Sequence, residues 1–533
     1  MNAELTLTRL LQAACKAHGG RPALQYRDRA LTFSQLQAES ARVATGLAEL
    51  GVGAGDRVAI WLPNTPAWLA CFFACGRIGA IALATNTRFR SAEMEDILGR
   101  SGAKVLIYWP AFRGIDFSQI VEHLSAASVA GLKAIIAYAE ADDPVPPARV
   151  HGIPVHTYDR LAARPEMPSD SSRSDLGCLM FTTSGTTKAP KFVLHSQRSI
   201  VQHALDVAQG FGYVGPGTVG LGVLPFCGTY GFSTALAPLA VGAPLIVDPA
   251  FEPRRIIDLI RTHRVTNTNL TGHMIGHILA TGPAHGAFES IRFCGCGSGA
   301  SDVIERAAAH GLRVSGVYGS SEVQALFAHQ NAFEGAIAER ALGGGWPVSP
   351  LARVRARDAT SGRLLAHGEP GELEIQAPSQ LIGYFGNPQA TREALTDDGF
   401  YRTGDLGHTV ADRRFIFQAR LGDALRLSGF LVSPAQIECV IAEHPSVEAC
   451  QVVGLEDAGR TLPYAFVTCA SGGDFDEGQV LAFARERMAR YKVPARIVRL
   501  DAFPTVQSAN AIKVQKARLR EIARELGSVP ARE

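Results

Sequence analysis

Residues 182–192, TTSGTTKAPKF, put five hydroxyl side chains, one glycine and two lysines into eleven positions, directly behind the apolar run Leu176, Cys178, Leu179, Met180, Phe181. The run reads as the end of a buried strand, and a strand that breaks into such a loop offers an anion site. Backbone N–H groups freed by Gly185, the hydroxyls of Thr183, Ser184, Thr186 and Thr187, and the Lys191 ammonium can together surround a polyphosphate. The spacing is not G-x-x-x-x-G-K-[ST], because Lys191 follows Pro190 and no helix-opening hydroxyl comes after it. Taken alone, the stretch reads equally well as a polar surface loop.

The flanking sequence supplies a fold for it. Residues 31–50 start at a Thr32 cap and place Phe33, Leu36, Val43, Leu47 and Leu50 at helical spacing, with Gly51 as the stop. Strands over 57–62, 81–84 and 104–108 alternate with helices through residue 76 and over 91–99, a β–α–β grammar that favours a mostly parallel sheet flanked by helices. Residues 141–174, rich in Pro, Asp, Ser and Arg, read as a surface connection. Further short strands follow over 219–224, 243–247, 265–270, 291–296 and 313–317. Ligands of open α/β sheets sit outside the strand carboxyl ends, so residues 182–192, 225–232, 295–298 and 318–322 are expected to converge on one site.

From about residue 342 the texture shifts to glycine-punctuated short strands, including 372–377 and 413–418. Beyond residue 422 a compact pattern begins, with helices over 433–444 and 479–488 and strands over 447–454 and 465–470. The expected architecture is α/β: a large N-terminal domain, residues 1–420, of parallel-rich sheets flanked by helices plus a small β-rich subdomain, and a small mobile α+β C-terminal domain, residues 421–533.

A chain of 533 residues is too long for one ordinary core, and 47% hydrophobic with 19% charged residues describes a well-packed protein. A net charge of +2 gives no electrostatic reason to expect nucleic acid or an anionic membrane. The ten cysteines are scattered without a C-x-x-C, which fits a reducing cytoplasm. The N-terminus reads as an amphipathic helix and not a secretory signal. The apolar segment 68–84 is broken by Arg77 and two glycines, so it reads as a buried helix running into a strand, with no membrane span.

Four later stretches, in order with the loop, resemble the adenylate-forming superfamily of acyl-CoA synthetases, aryl-CoA ligases, peptide-synthetase adenylation domains and firefly-type luciferases, over about residues 33–520. Residues 318–322, YGSSE, are similar to the family's Y-G-x-T-E. The resemblance implies that Tyr318 stacks on adenine, that Ser321 faces a phosphate, and that Glu322 with Thr187 holds Mg²⁺, a hard carboxylate for a hard cation. It also places Gly295, Cys296, Gly297, Gly319 and Ser320 at the nucleotide. Residues 401–407, YRTGDLG, match the stretch whose aspartate, here Asp405, takes both ribose hydroxyls as an acceptor-only group. Residues 419–438 resemble the inter-domain hinge, with Arg420 on ribose or phosphate, Gly422 as the pivot, and Gly429 and Phe430 beside a pantetheine channel. Residues 513–520, KVQKARLR, resemble the terminal stretch whose lysine bridges substrate carboxylate and α-phosphate. Spacing points to Lys513, with Lys516 as the competitor. In the opening loop the family's glycines are replaced by Lys188, expected to add a second cation for the outer phosphates, and by Phe192, whose role stays open.

The implied activity is an ATP-dependent carboxylic acid:CoA ligase, an AMP-forming acyl-CoA synthetase, with ATP, Mg²⁺ and coenzyme A. Lys513, Glu322, Thr187 and Lys191 are its expected catalytic groups. Residues 225–239, PFCGTYGFSTALAPL, hold no charge for an α-ammonium or a second carboxylate. Phe226, Cys227, Gly228, Tyr230, Phe232, Val323, Ala325 and Leu326 therefore suggest an apolar acid that is aromatic, alicyclic or medium-chain. Two alternatives stand beside this reading: an adenylating enzyme that loads a carrier protein, and a catalytically silent nucleotide-binding relative. Expected partners are the small-molecule acid and CoA, with a homodimer left open.

Overall fold

The computed structural model describes residues 4–140, 143–183, 190–297, 301–330, 336–411, 413–427, 430–457, 460–469, 475–507 and 512–526. Packing divides the chain into two compact units, Met1–Ala352 with Gln376–Tyr401, and Arg353–Ile375 with Arg402–Glu533.

The first unit contains two sheets. One runs Gly383–Tyr384, Phe192–Ser196, Gly177–Thr182, Ile81–Ala84, Arg57–Trp61, Val105–Tyr108, Ala134–Ala137, Ile153–Thr157, Arg149–Val150. Its middle is parallel, with Ala59 facing both Leu83 and Leu106. Strands buried on both faces read as unbroken apolar runs, which is why VAIW, IALA and VLIY are legible in sequence. The other sheet runs Arg29–Thr32, Pro22–Tyr26, Leu245–Val247, Gly220–Gly222, Asn267–Leu270, Phe293–Gly297, Val314–Ser320, Gln324–His329, Gly343–Pro347. It is parallel from Pro22–Tyr26 to Val314–Ser320 and antiparallel beyond.

Local chemistry sets the helices. Phe33–Glu49 opens with a reciprocal capping box in which the Gln35 N–H donates to Thr32 Oγ1 and the Thr32 N–H donates to Gln35 Oε1. Segment 68–84 resolves into the buried helix Pro66–Ile78, a left-handed Gly79 at φ 74°, and the strand Ile81–Ala84. Among the described residues, no helix is long and apolar enough to cross a membrane. Gln197, fully buried, accepts from the Leu7 N–H at 2.9 Å and donates to the Gly76 carbonyl at 2.8 Å, tying the amphipathic helix Leu7–His18 to that buried helix.

Residues 141–174 depart from the expected surface connection. They contain Arg149–Val150, Ile153–Thr157 and the helix Tyr158–Ala162, and Val155 pairs in parallel with Ile135. Pro154 lies on the antiparallel side of that strand, facing Arg149, near the sheet edge where a missing N–H is tolerated.

The second unit holds Arg353–Arg357, Gly371–Gln376, Tyr401–Thr409 and Phe415–Arg420, then a three-stranded sheet in which Ala449–Asp457 pairs antiparallel and Arg496–Arg499 parallel to Arg460–Thr468. Strand alternation gives that sheet two apolar faces. Val452, Ala465 and Val467 pack with Ile437, Ile441 and Val480, while Val453, Tyr464 and Phe466 pack with Leu519 and Ala523 of the terminal helix Lys516–Glu525. The fully buried Glu374 carboxylate receives Arg355 Nε at 2.6 Å and Arg357 Nε at 2.8 Å.

Candidate active site

The opening stretch spans a hairpin. Gly177–Thr182 and Phe192–Ser196 pair antiparallel, and the mouth between them is closed by two hydrogen bonds: the Thr183 N–H donates to the Lys191 carbonyl at 3.0 Å, and the Lys191 N–H donates to Thr183 Oγ1 at 3.1 Å. Ser184, Gly185, Thr186, Thr187 and Lys188 lie outside the described residues. Phe192 is core, 2% exposed, with the Arg100 guanidinium 4.5 Å above its ring. Arg100 Nη2 also donates to the Pro190 carbonyl at 2.8 Å, so the aromatic residue and the arginine brace the outgoing side of the loop.

The Tyr318–Glu322 stretch forms a tight reversal between Val314–Ser320 and Gln324–His329. A Cβ on Gly319 would come within 2.5 Å of Ala325 Cα, which is why a glycine stands there. Two fully buried histidines hold this turn. His195 Nε2 is 2.8 Å from the Ser321 carbonyl, and His203 Nε2 is 2.7 Å from the Ala325 carbonyl. A carbonyl only accepts, so each Nε2 carries the proton. His195 Nδ1 has no partner among the described residues. Burial pulls the pKa of both rings down to about 4. Gln324, at φ 63°, donates to the Ser199 and Ser379 carbonyls and completes the clamp. Tyr318 is buried with its ring edge-on to Phe327, and Ser320 Oγ accepts from the Glu322 N–H.

Segment 379–385, which carries no site residue in the sequence reading, joins the hairpin to the turn. The Leu381 N–H donates to the Glu322 carbonyl at 2.7 Å, the Ile382 N–H donates to the Leu194 carbonyl at 2.8 Å, and Tyr384 pairs with Val193. The Tyr384 hydroxyl donates to Glu322 Oε1 at 3.0 Å, and Lys191 Nζ stands 4.5 Å above the Tyr384 ring. No described residue donates to Glu322 Oε2, which leaves a hard oxygen ligand suited to Mg²⁺.

The adjacent parallel strands ending at Leu270, Gly297 and Ser320 bring their carboxyl ends to one edge, as the motif order implies. Tyr230 bridges two of them, with its hydroxyl 3.1 Å from the Gly295 carbonyl and 3.3 Å from the Leu270 carbonyl. Asn64 accepts from the Phe226 N–H at 2.8 Å and donates to the Leu224 carbonyl at 2.9 Å, fixing the stretch that starts at Pro225. Several residues expected at the acyl pocket are core. Phe226 and Phe232 pack on Trp68, and Phe232 also on Phe72 and Phe181, with centroids 5.0–5.9 Å apart. Leu326 sits with Phe211 and Tyr213, and Val323 is fully buried. Ala325 is 8% exposed, and Gly228 caps the helix Thr229–Ala240. Burial pushes the Cys227 and Cys296 thiols up to about 12, as befits packing groups and not nucleophiles.

In the second unit, Asp405 and Arg420 are directly opposed across the antiparallel pair Tyr401–Thr409 and Phe415–Arg420, with Arg420 Nη1 3.0 Å from Asp405 Oδ1. Asp405 is buried while the Arg420 side chain is 58% exposed. Among the described residues nothing comes within 4 Å of where a Cβ on Gly422 would stand. Its carbonyl is 3.4 Å from Arg520 Nη2, which also meets Asp423 at 2.8 Å. Gly429 lies outside the described residues, and Phe430 starts the short strand Phe430–Val432. Lys513 is central in Ile512–Val514, opposite Val506. Lys516 is committed elsewhere: its Nζ lies 3.1 Å from Glu438 Oε1 and 3.4 Å from the Val452 carbonyl.

The model of the AMP-binding enzyme family matches residues 11–385, and that of the AMP-binding enzyme C-terminal domain matches residues 436–510. The chain belongs to the AMP-binding enzyme family. Within it the chain falls among the acyl- and aryl-CoA ligases, AMP-forming acid–thiol ligases. It is 31% identical over 506 residues to a feruloyl-CoA synthase of Amycolatopsis sp., covering 94% of each chain. It is also 31% identical over 515 residues, 94% of this chain and 95% of the other, to the 3-[(3aS,4S,7aS)-7a-methyl-1,5-dioxo-octahydro-1H-inden-4-yl]propanoyl:CoA ligase of Mycobacterium tuberculosis. Its fold matches ATP-bound MatB from Rhodopseudomonas palustris with a TM-score of 0.85 at 24% identity, covering 99% of this chain and 100% of that one.

Proposed function

We propose that this AMP-binding enzyme activates an apolar carboxylic acid, aromatic or alicyclic before medium-chain, by forming an acyl-adenylate from ATP and passing the acyl group to CoA. The observation that carries the reading is the convergence of Lys191, Tyr384 and Glu322, which puts a cation and a hard carboxylate beside the mouth of the hydroxyl-rich loop. Acid preference is supported by the uncharged stretch 225–239 and by two relatives named for an aromatic and an alicyclic acid.

A carboxylate oxygen attacks the α-phosphorus, pyrophosphate leaves, and the CoA thiol then attacks the acyl carbonyl, releasing AMP. Positioning and charge neutralisation dominate such transfers, so the residues needed are cations, hydroxyls and carboxylates and not a protein nucleophile. Thr183, Ser184, Gly185, Thr186, Lys188 and Lys191 take the phosphates, Tyr318 the base, and Asp405 with Arg420 the ribose. Lys513 offsets the charge growing on the α-phosphate. Glu322 and Thr187 would hold Mg²⁺, which when bound would neutralise part of the triphosphate charge. Residues 1–420 act as the adenylating domain and 421–533 as the mobile domain that pivots at Gly422, with Gly429 and Phe430 at the pantetheine.

Acid-dependent pyrophosphate release across a panel of aromatic, alicyclic and fatty acids tests the reading and ranks the acids. CoA set against a holo-carrier protein as acceptor separates ligation from carrier loading. A chain that binds ATP yet releases no pyrophosphate with any acid defeats the proposal.

A further inference from the structure

Building on the adenylating role just proposed, we infer that Tyr384 is a positioning residue that keeps the phosphate-binding Lys191 and the metal-binding Glu322 apart and ready. One side chain touches both charged groups: its ring face carries the Lys191 ammonium at 4.5 Å, and its hydroxyl donates to Glu322 Oε1 at 3.0 Å. The ring quadrupole suits a cation and the O–H suits a carboxylate, so each charge is satisfied by a different end of the same group.

The arrangement solves a problem of charge. A lysine and a glutamate of opposite sign that reach the same space pair with each other, and a closed ion pair resists an incoming phosphate and cation. The phenol stands between them and gives each a contact that a triphosphate and its metal can replace. A cation over the ring also polarises the phenol and strengthens its O–H as a donor, so Lys191 and Glu322 are coupled through the ring. Placement is fixed from both sides. The Tyr384 backbone pairs with Val193 on the hairpin strand, its N–H donates to Thr391 Oγ1 at 2.9 Å, and the Leu381 N–H holds the Glu322 carbonyl at 2.7 Å.

Tyr384→Phe keeps the ring under Lys191 and deletes the bond to Glu322, whereas Tyr384→Leu deletes both. With ATP present, Mn²⁺ binding read by electron paramagnetic resonance is expected to weaken about 3- to 10-fold in Tyr384→Phe and about 10- to 100-fold in Tyr384→Leu. In the pyrophosphate-release assay kcat/KM for ATP follows the same order, while KM for the acid is unchanged. A merely structural tyrosine would instead lower thermal stability and leave Mn²⁺ affinity where it was. Variants that both hold Mn²⁺ with ATP within about twofold of wild type overturn the inference. A wild-type chain that binds Mn²⁺ with ATP but releases no pyrophosphate defeats the functional reading alone. A wild-type chain that binds neither defeats both.

Discussion

His195 Nε2 donates to the Ser321 carbonyl across 2.8 Å, joining the strand that leaves the loop to the turn that carries Glu322. The contact is buried and uncharged, and its neighbour His203 holds the Ala325 carbonyl in the same way. Burial keeps both rings neutral: the bond to a carbonyl favours the charged form, but the loss of water around the ring outweighs it.

Acid should therefore loosen this unit. Each folded-state pKa, about 4, lies below the ordinary value of 6.5, so the unfolded chain takes up protons first as pH falls. The stabilisation is fully present above about pH 6.5 and is lost as pH drops towards 4, by about 3 kcal/mol per histidine. Urea midpoints at pH 7.5 and 4.5 check it, and His203→Gln, which keeps a donor but cannot titrate, is expected to narrow the gap between them.

Two lysines at the end of the chain separate by function. Lys513→Ala is expected to stop adenylate formation while sparing thioester formation from a supplied acyl-adenylate. Lys516→Met removes the partner of Glu438 and is expected to cost about 1–3 kcal/mol in stability, with both half-reactions retained below the melting temperature. A Lys516→Met protein of unchanged stability that cannot adenylate would reverse the assignment.

Glu374 sits at 0% exposure between Arg355 and Arg357. Breaking a buried ion network strands the remaining charges, so Glu374→Ala should destabilise the protein by about 3–5 kcal/mol. Thermal unfolding measures this, with Glu374→Gln expected in between because it keeps an acceptor.

Two positions of the 182–192 stretch make opposite predictions. Phe192→Gly should lower stability by about 3–5 kcal/mol, the range for emptying a core aromatic site, and leave the ATP KM of the folded enzyme unchanged. Lys188→Gly should raise the ATP KM without altering stability, and an unchanged KM rules out a phosphate contact.

The elements legible in sequence were those whose burial is two-sided. VAIW, IALA and GCLMFT are apolar along their length because both faces are covered, and caps such as Thr32 mark helix starts through local hydrogen bonds. Ile153–Thr157 is hard to read because a strand next to the sheet edge is only partly buried and tolerates Pro154, which makes it resemble a loop. The motif residues around Glu322 were readable, but their supports were not. A lone buried histidine or a tyrosine after a glycine has no spacing that announces its partner, and His195 and Tyr384 acquire meaning only from residues 126 and 62 positions away. Side-chain direction was the other gap: Phe226 and Phe232 are expected from sequence at the acyl pocket, because an apolar ring suits a pocket wall, whereas in the structure they pack into the ring cluster around Trp68.

That ring cluster limits how the enzyme can change its diet. If acid choice were written in Phe226 and Phe232, each change of substrate would also empty part of the core, at about 3–5 kcal/mol for a truncation to alanine. A change of acid that leaves the core intact therefore has to come from residues outside the aromatic cluster, which stays a constant beneath a variable floor.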